Sequence, residues 1–409
     1  MMPSRYERLS REQLVTLVPE LLLIGHLIDR AGMPFCLEAW GQDQMTQIAI
    51  EEWAGASPIY TRRMQKALGF EGDDVPTIFK GMQLDIGAPP QFMDFRYGVT
   101  DPLHGTFHLD HCGALMDVEP MGPSMVKNMC HDIEDPTFDA TAVATNPKAR
   151  VRPVHRPPRV PADRRPHCAW TVEIDPDSPD VEAIPALAVN ERSHAATLVL
   201  DEVDPAQEGL GDYSGPLVDD LDFASFSHSA LVRMADEVVL QQHLLNLSFQ
   251  LAVRERAAGD EELFRRVALR QLIGHAGVAA ERLHRALALS DSPQDAARVV
   301  ELHPLMNPMP YVRLGRDGES VTVSRSPAHE DGGWLPLCTP GSPGALQAIV
   351  RAVNPCLDVE MSGTATDWTA RVVLTDTAAP ETGEVAVTKI SKGAAFRFEP
   401  RRSLPLFVK

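Results

Sequence analysis

Two stretches of this chain carry the same order of signals, and that order restricts the fold more than any other feature. In the first, "VATNPKARVRPV" leads through a loop to "CAWTVEI"; in the second, "AVNPCLDVEMS" leads to "DWTARVVL". Each runs Asn-Pro, an alternating segment, a loop and a segment bearing Trp-Thr, and each follows a helical region. Alternation of apolar and polar residues marks half-buried strands. Recurrence of the whole order predicts an internal duplication. The expected fold is therefore α+β, in two lobes, each an antiparallel sheet packed with helices. Residues 1–175 form the lobe whose sheet bears cysteines and histidines, and 176–409 a degenerate copy without them. A chain of 409 residues is also longer than one core usually fills.

Helical periodicity organises the rest. "LSREQLVTLVPELLLIGHLIDRAG" opens with Ser10 and Gln13 spaced as a capping box. "CLEAWGQDQMTQIAIEEWAG", "SPIYTRRMQKALGF" and "DVPTIFKGMQLDIG" read as three further helices. A strand is expected over 105–112, a helix over 121–134 and a short helix over 137–145. The prolines of "RPPRVPADRRP" impose an extended loop. Helices follow over 226–258 and 260–289, with strands near 311–325 and 369–375.

A formal charge of −19 disfavours nucleic acid and anionic membranes as partners. The polar start MMPSRYERLSREQ has no apolar signal region, and the longest apolar run is interrupted by Glu20 and His26. Six cysteines in such a chain read as reduced thiols, ligands or nucleophiles. A cytoplasmic protein with a small-molecule partner is expected, and a homo-oligomer is compatible with the sequence.

The densest cluster of reactive residues is "HGTFHLDHCGAL", followed by "MCHDIEDP" and "PHCAWTVEI". Strand alternation puts His108, Asp110 and Cys112 on one face, and Cys168, Trp170 and Val172 on one face of the later strand. Helical spacing stacks Cys130 on Glu134 and His131 on Glu134. Cys112, Cys130, His155 and Cys168 are the candidate ligands for zinc, with iron as the alternative, because thiolate and imidazole suit these ions. His108, His131 and Glu134 are the candidate acid–base groups. Arg152 and Arg156 are candidates for gripping a substrate carboxylate. No C-x-x-C pair is present, so the ligands must be gathered by the fold; three thiols packed as small buried hydrophobes is the competing reading.

Cys112, Cys130, Asn146-Pro147 and "CAW" at 168–170, set after a helical N-terminal part, resemble the aminothiazoline-carboxylate hydrolase-like family over residues 20–175. The resemblance implies hydrolase-like chemistry and a pocket near Cys130. The expected function is a metal-assisted hydrolase or lyase acting on a small anionic molecule containing C–N or C–S bonds. A metal-free variant would use Cys130 as nucleophile with His131 or His108 as base. The alternative is a small-molecule or metal sensor without catalysis.

Overall fold

The computed structural model describes residues 3–401. Ser10 caps the first long helix, α1 (Arg11–Ala54), and the expected capping box with Gln13 is present. α1 absorbs the helix expected after Gly32 and is broken only at Gly41, where φ is 80°. α2 (Ser57–Ala67) and α3 (Val75–Met82) follow. β1 (Met93–Asp101) and β2 (His104–Cys112) form a hairpin; β1 was not expected, although "MDFRYGVTD" alternates. Then come α4 (Gly113–Val118) and α5 (Pro123–Lys127). A π turn over Asn128–Ile133 runs straight into α6 (Glu134–Val143), so the two helices expected over 121–145 are nearly continuous. β3 (Ala149–His155) and β4 (Cys168–Ile174) complete the first sheet, in the order β1-β2-β4-β3.

The second half follows the same plan. α7 (Pro185–Asn190) and α8 (His194–Thr197) lead to α9 (His228–Ala257), α10 (Glu261–Ala286) and α11 (Pro293–Leu302). The segment near 311–325 is a hairpin, β5 (Arg313–Asp317) and β6 (Ser320–Ser324). After α12 (Pro327–Asp331) and α13 (Gly344–Val353), β7 (Leu357–Gly363) and β8 (Trp368–Leu374) close a sheet ordered β5-β6-β8-β7. α14 (Gly383–Thr388) and α15 (Lys392–Ala395) end the described elements. The fold is α+β, with two four-stranded antiparallel sheets each packed with helices.

The recurring Asn-Pro has one physical role in both halves. Asn146 Oδ1 accepts from the Lys148 N–H at 3.0 Å, and its Nδ2 donates to the Asp73 carbonyl. Asn354 Oδ1 accepts from the Cys356 N–H at 2.9 Å, and its Nδ2 donates to the Asp291 carbonyl. Each amide therefore starts a strand and ties it to the loop before α3 or α11. Trp170 and Trp368 are buried on β4 and β8, each followed by a threonine paired with a threonine of the next strand, Thr106 or Thr322.

Between the sheets lies a helical layer that both halves share. α1 packs on α9 and α10, α7 and α8 pack on α9, and α14 packs on α10 and α1. One continuous core joins α1 side chains such as Leu21 and Ile28 to Leu240, Leu244 and Trp368. A cut after residue 175 separates the sheets but runs through this common layer.

Candidate functional site

A β-bulge decides where the cysteines point. Met93 pairs with Cys112 and Phe95 with Leu109, so Asp110 and His111 together face the single residue Asp94. The extra residue reverses the alternation. Cys112 therefore turns inward with Phe107 and Leu109, opposite to His108, and the shared face expected for His108, Asp110 and Cys112 does not form. Cys168, Trp170 and Val172 do share the inner face of β4. Cys130 is buried in the π turn. The three thiols and Glu134 lie close enough for each charge to bear on the others. Burial first, and Glu134 next, push all three thiols up, Cys112 to about 12, so they stay protonated.

His155 pairs with Ala169, as His108 does, and so shares the outer face of the sheet with His108. It cannot complete a shell with cysteines that face inward. Among the described residues, no three His, Cys, Asp or Glu side chains are placed to hold a metal ion. The four ligands expected for zinc or iron therefore do not share one side of the sheet. Cys112 Sγ instead accepts a hydrogen bond from the Leu115 N–H at 3.3 Å and caps α4.

The remaining predicted residues are dispersed. His108 is half exposed, beside Asp110. His131 Nε2 meets the Pro157 carbonyl at 2.7 Å. Arg152 is held by both oxygens of Asp139 at 2.9 Å, and Arg156 pairs with Asp135; both acids belong to α6. Of the residues singled out from the sequence, Glu134 alone lines the cavity described next.

That cavity, of about 420 Å³, lies between α1, the π turn, the first sheet and α14. Seven methionines line it: Met33, Met45, Met82, Met93, Met121, Met125 and Met129. They draw nearly half of the chain's 15 methionines into one adaptable apolar wall. Leu37, Met121 and Ile390 form an exposed apolar rim. Its polar groups come chiefly from α1: His26, Asp29 and Arg30, joined by Asp85, Asp117 and Glu134. Arg30 pairs with Asp29 at 2.9 Å and Asp117 at 3.5 Å. Behind Asp29, Glu52 is fully buried.

Polar atoms buried in this region go unanswered, which is costly unless a ligand or water meets them. His26 Nδ1 and Nε2, Asp29 Oδ1, both Glu52 oxygens and Glu134 Oε2 have no hydrogen-bond partner among the described residues. Burial drives their protonation. It pushes Glu134 up to about 8, with Asp135 adding to the shift. Burial raises Glu52 well above the carboxyl range, and neighbouring Asp29 raises it further. Asp29 is raised by burial against the pull of Arg30. His26 is held well below its usual value by burial and then by Arg30, so its imidazole is neutral. Asp85, taking a hydrogen bond from Tyr60 at 2.9 Å, is pushed up by burial to about 6.

The sequence held a signal for this site. In "LLLIGHLIDRAG" three ionisable residues interrupt a helix that is apolar on every side, and such residues are rarely buried without a role. Fold and site together define an α+β protein with a methionine-lined cavity floored by acids and one arginine. No family model, no curated protein and no solved structure matches the chain. No helix among the described residues is long and apolar enough to cross a membrane.

Proposed function

We propose that the protein is an enzyme, a hydrolase or lyase that performs acid–base chemistry on a small organic molecule held in the methionine-lined cavity. The observation that carries this reading is Glu134. Its carboxyl stays protonated at neutral pH and lines a cavity where its Oε2 has no other partner. A proton held there can be donated to a leaving nitrogen, oxygen or sulfur. The neutral imidazole of His26, on the same cavity, can orient the substrate by a hydrogen bond. No step passes through a metal, and the protonated thiols serve as packing rather than as nucleophiles.

The resemblance to the aminothiazoline-carboxylate hydrolase-like family supports ring-opening or C–N cleavage as the reaction type. The substrate reading changes from the one the sequence suggested. Arg152 and Arg156 are engaged by α6 and do not line the cavity, although Arg156 bears on Glu134 from behind it, so neither is placed to grip an anion there. The matching order of elements in the two halves supports an internal duplication in which one copy keeps the cavity.

The test is untargeted. Wild-type protein and Glu134→Gln are incubated with a small-molecule extract, and depletion is followed by mass spectrometry. At least one compound should be consumed by the wild type and spared by E134Q. If the two proteins deplete the same compounds at the same rates, or none, the enzymatic reading falls.

A further inference from the structure

Asp29 and Glu52 stand where the second half has Asn246 and Gln271. One constant interval separates Ser10 from Ser227, Glu20 from Glu237, His26 from His243 and Asp29 from Asn246. Ser10 and Ser227 each cap their helix by accepting from the backbone N–H three residues on. The break at Gly41 in α1 corresponds to the turn at Ala258 and Gly259 between α9 and α10. Beyond it, Gly55 and Gly274 are pressed against α7 and α14 respectively, at Ala186 and Glu384, where an added Cβ would collide. Counting back three residues from these glycines sets Glu52 opposite Gln271.

In the second half the two amides are bonded to each other, although Gln271 Nε2 is left without a partner. Asn246 Nδ2 donates to Gln271 Oε1 at 2.9 Å, and the Trp334 indole N–H donates to the same oxygen at 3.3 Å. The indole is fully buried; its ring centroid lies 4.9 Å from that of His275 and 5.4 Å from that of His243. A ring with an N–H donor thus fills the space beside His243, Asn246 and Gln271.

The first half has the same frame without a counterpart of Trp334; the rings nearest His26 are Phe92 at 5.5 Å and Trp53 at 6.4 Å. Asp117 and Asp331 correspond, because each receives hydrogen bonds from the start of a short helix, α15 or α8. Trp334 stands three residues after Asp331, and three after Asp117 stands Pro120, which has neither an aromatic ring nor a donor. His26 and Asp29 consequently face the cavity, and Asp29 Oδ1 and both Glu52 oxygens are left unpartnered. The two amides have also become two acids. With Asp117 they make three carboxyl groups around the single cation Arg30.

The geometry points to a ligand that takes the place Trp334 occupies in the other half: a planar, ring-bearing molecule whose protonated nitrogen donates to Asp29, with Glu52 behind it. This rests on the cavity being the substrate site and names the substrate class as an aromatic or heteroaromatic cation. An acid in place of an amide selects a charged donor over a neutral one. The methionine wall accommodates the ring.

Three indole probes differing only in their end group test it by calorimetry at neutral pH: tryptamine (ammonium), tryptophol (hydroxyl) and indole-3-acetate (carboxylate). Tryptamine should bind more tightly than tryptophol by about tenfold or more, the scale of a charge-assisted hydrogen bond. Indole-3-acetate should bind more weakly than either. Asp29→Asn should bring tryptamine down to the tryptophol level, whereas Glu52→Gln, which replaces a carboxyl kept neutral by burial, should change it less. Pro120→Trp, which places an indole where the second half has one, should abolish tryptamine binding and raise the melting temperature, so the test survives if an acid variant fails to fold. Indole-3-acetate binding as tightly as tryptamine overturns the inference. So does absence of binding by all three, or tryptamine affinity unchanged in the variants that fold. Tryptamine binding without any compound consumed would uphold this inference and sink the catalytic reading; consumption of an anion alone would do the reverse.

Discussion

Asp117 accepts hydrogen bonds from the Lys392 N–H at 2.7 Å and the Ser391 hydroxyl at 2.6 Å, so a residue of α4 holds the start of α15. Asp331 does the same for α8 through the N–H groups of His194 and Ala195. In each case a short helix is pinned by an acid that follows a hairpin, β1-β2 for Asp117 and β5-β6 for Asp331. At Asp117 the pinned segment is also a wall of the cavity, since Thr388, Ile390 and Ser391 line it.

Asp117→Asn can keep only one of those two acceptors. The expected loss is ~1–2 kcal/mol, the usual scale for leaving a buried polar group unpaired. Hydrogen exchange should quicken across Gly383–Ala395 and remain unchanged in β7 and β8. Uniform protection in the variant would show that α14 and α15 are held by apolar packing alone.

Trp334→Ala should cost ~3–5 kcal/mol, because it empties a fully buried aromatic site. Indole added to the variant should recover part of the loss in a urea titration by refilling the void. The gain should exceed that of wild-type protein, in which the Trp334 space is occupied and only the methionine-lined cavity is open to indole.

Stability should fall from roughly pH 6.5 to 8. Burial raises Glu134 and Asp236 to about 8 in the folded protein, far above the 4.5 and 3.8 usual for these acids. Between those limits the folded state holds more protons than the unfolded one, so rising pH destabilises it by about 1.4 kcal/mol per pH unit per group. The acid side behaves oppositely. His243, lowered to about 4, and His303, lowered to about 3, resist protons that an unfolded histidine takes up near 6.5, so falling pH destabilises. The two effects oppose each other below about 6.5, leaving the acids alone above it. Urea unfolding of Asp236→Asn should show a flatter decline from pH 6.5 to 8 than the wild type; equal slopes would refute the assignment.

Arg152→Gln should leave ligand affinity unchanged and cost no more than ~1 kcal/mol, as surface ion pairs do. Arg156→Gln, which also removes a guanidinium lying over Trp170, should likewise spare affinity but cost more. The sequence alone suggested the contrary. An affinity loss in either variant would return these arginines to the binding site.

Most of the scaffold was legible because its signals are local. The capping box at Ser10, the alternation of "CAWTVEI" and the two Asn-Pro turns act within a few residues of themselves, and each formed as read. The site was not, because its geometry depends on one inserted residue and on distant packing. Period-two alternation assigns Cys112 to the face of His108, and only the pairing register with β1 reveals the bulge that reverses it. Arg152 and Arg156 carry no mark of their partners, which come from a helix more than ten residues earlier. Glu134 was found as a neighbour of Cys130, yet its burial and raised proton affinity are products of the fold.

The cavity draws its floor from α1 and part of its wall from the segment 387–391. During synthesis, a chain that has emerged only through β8 therefore presents His26, Asp29 and Glu134 without that wall. Clipping the chain between β8 and α14 should likewise open the cavity on that side while sparing both sheets, which solvent accessibility of Met33 and Met129 by oxidation would report.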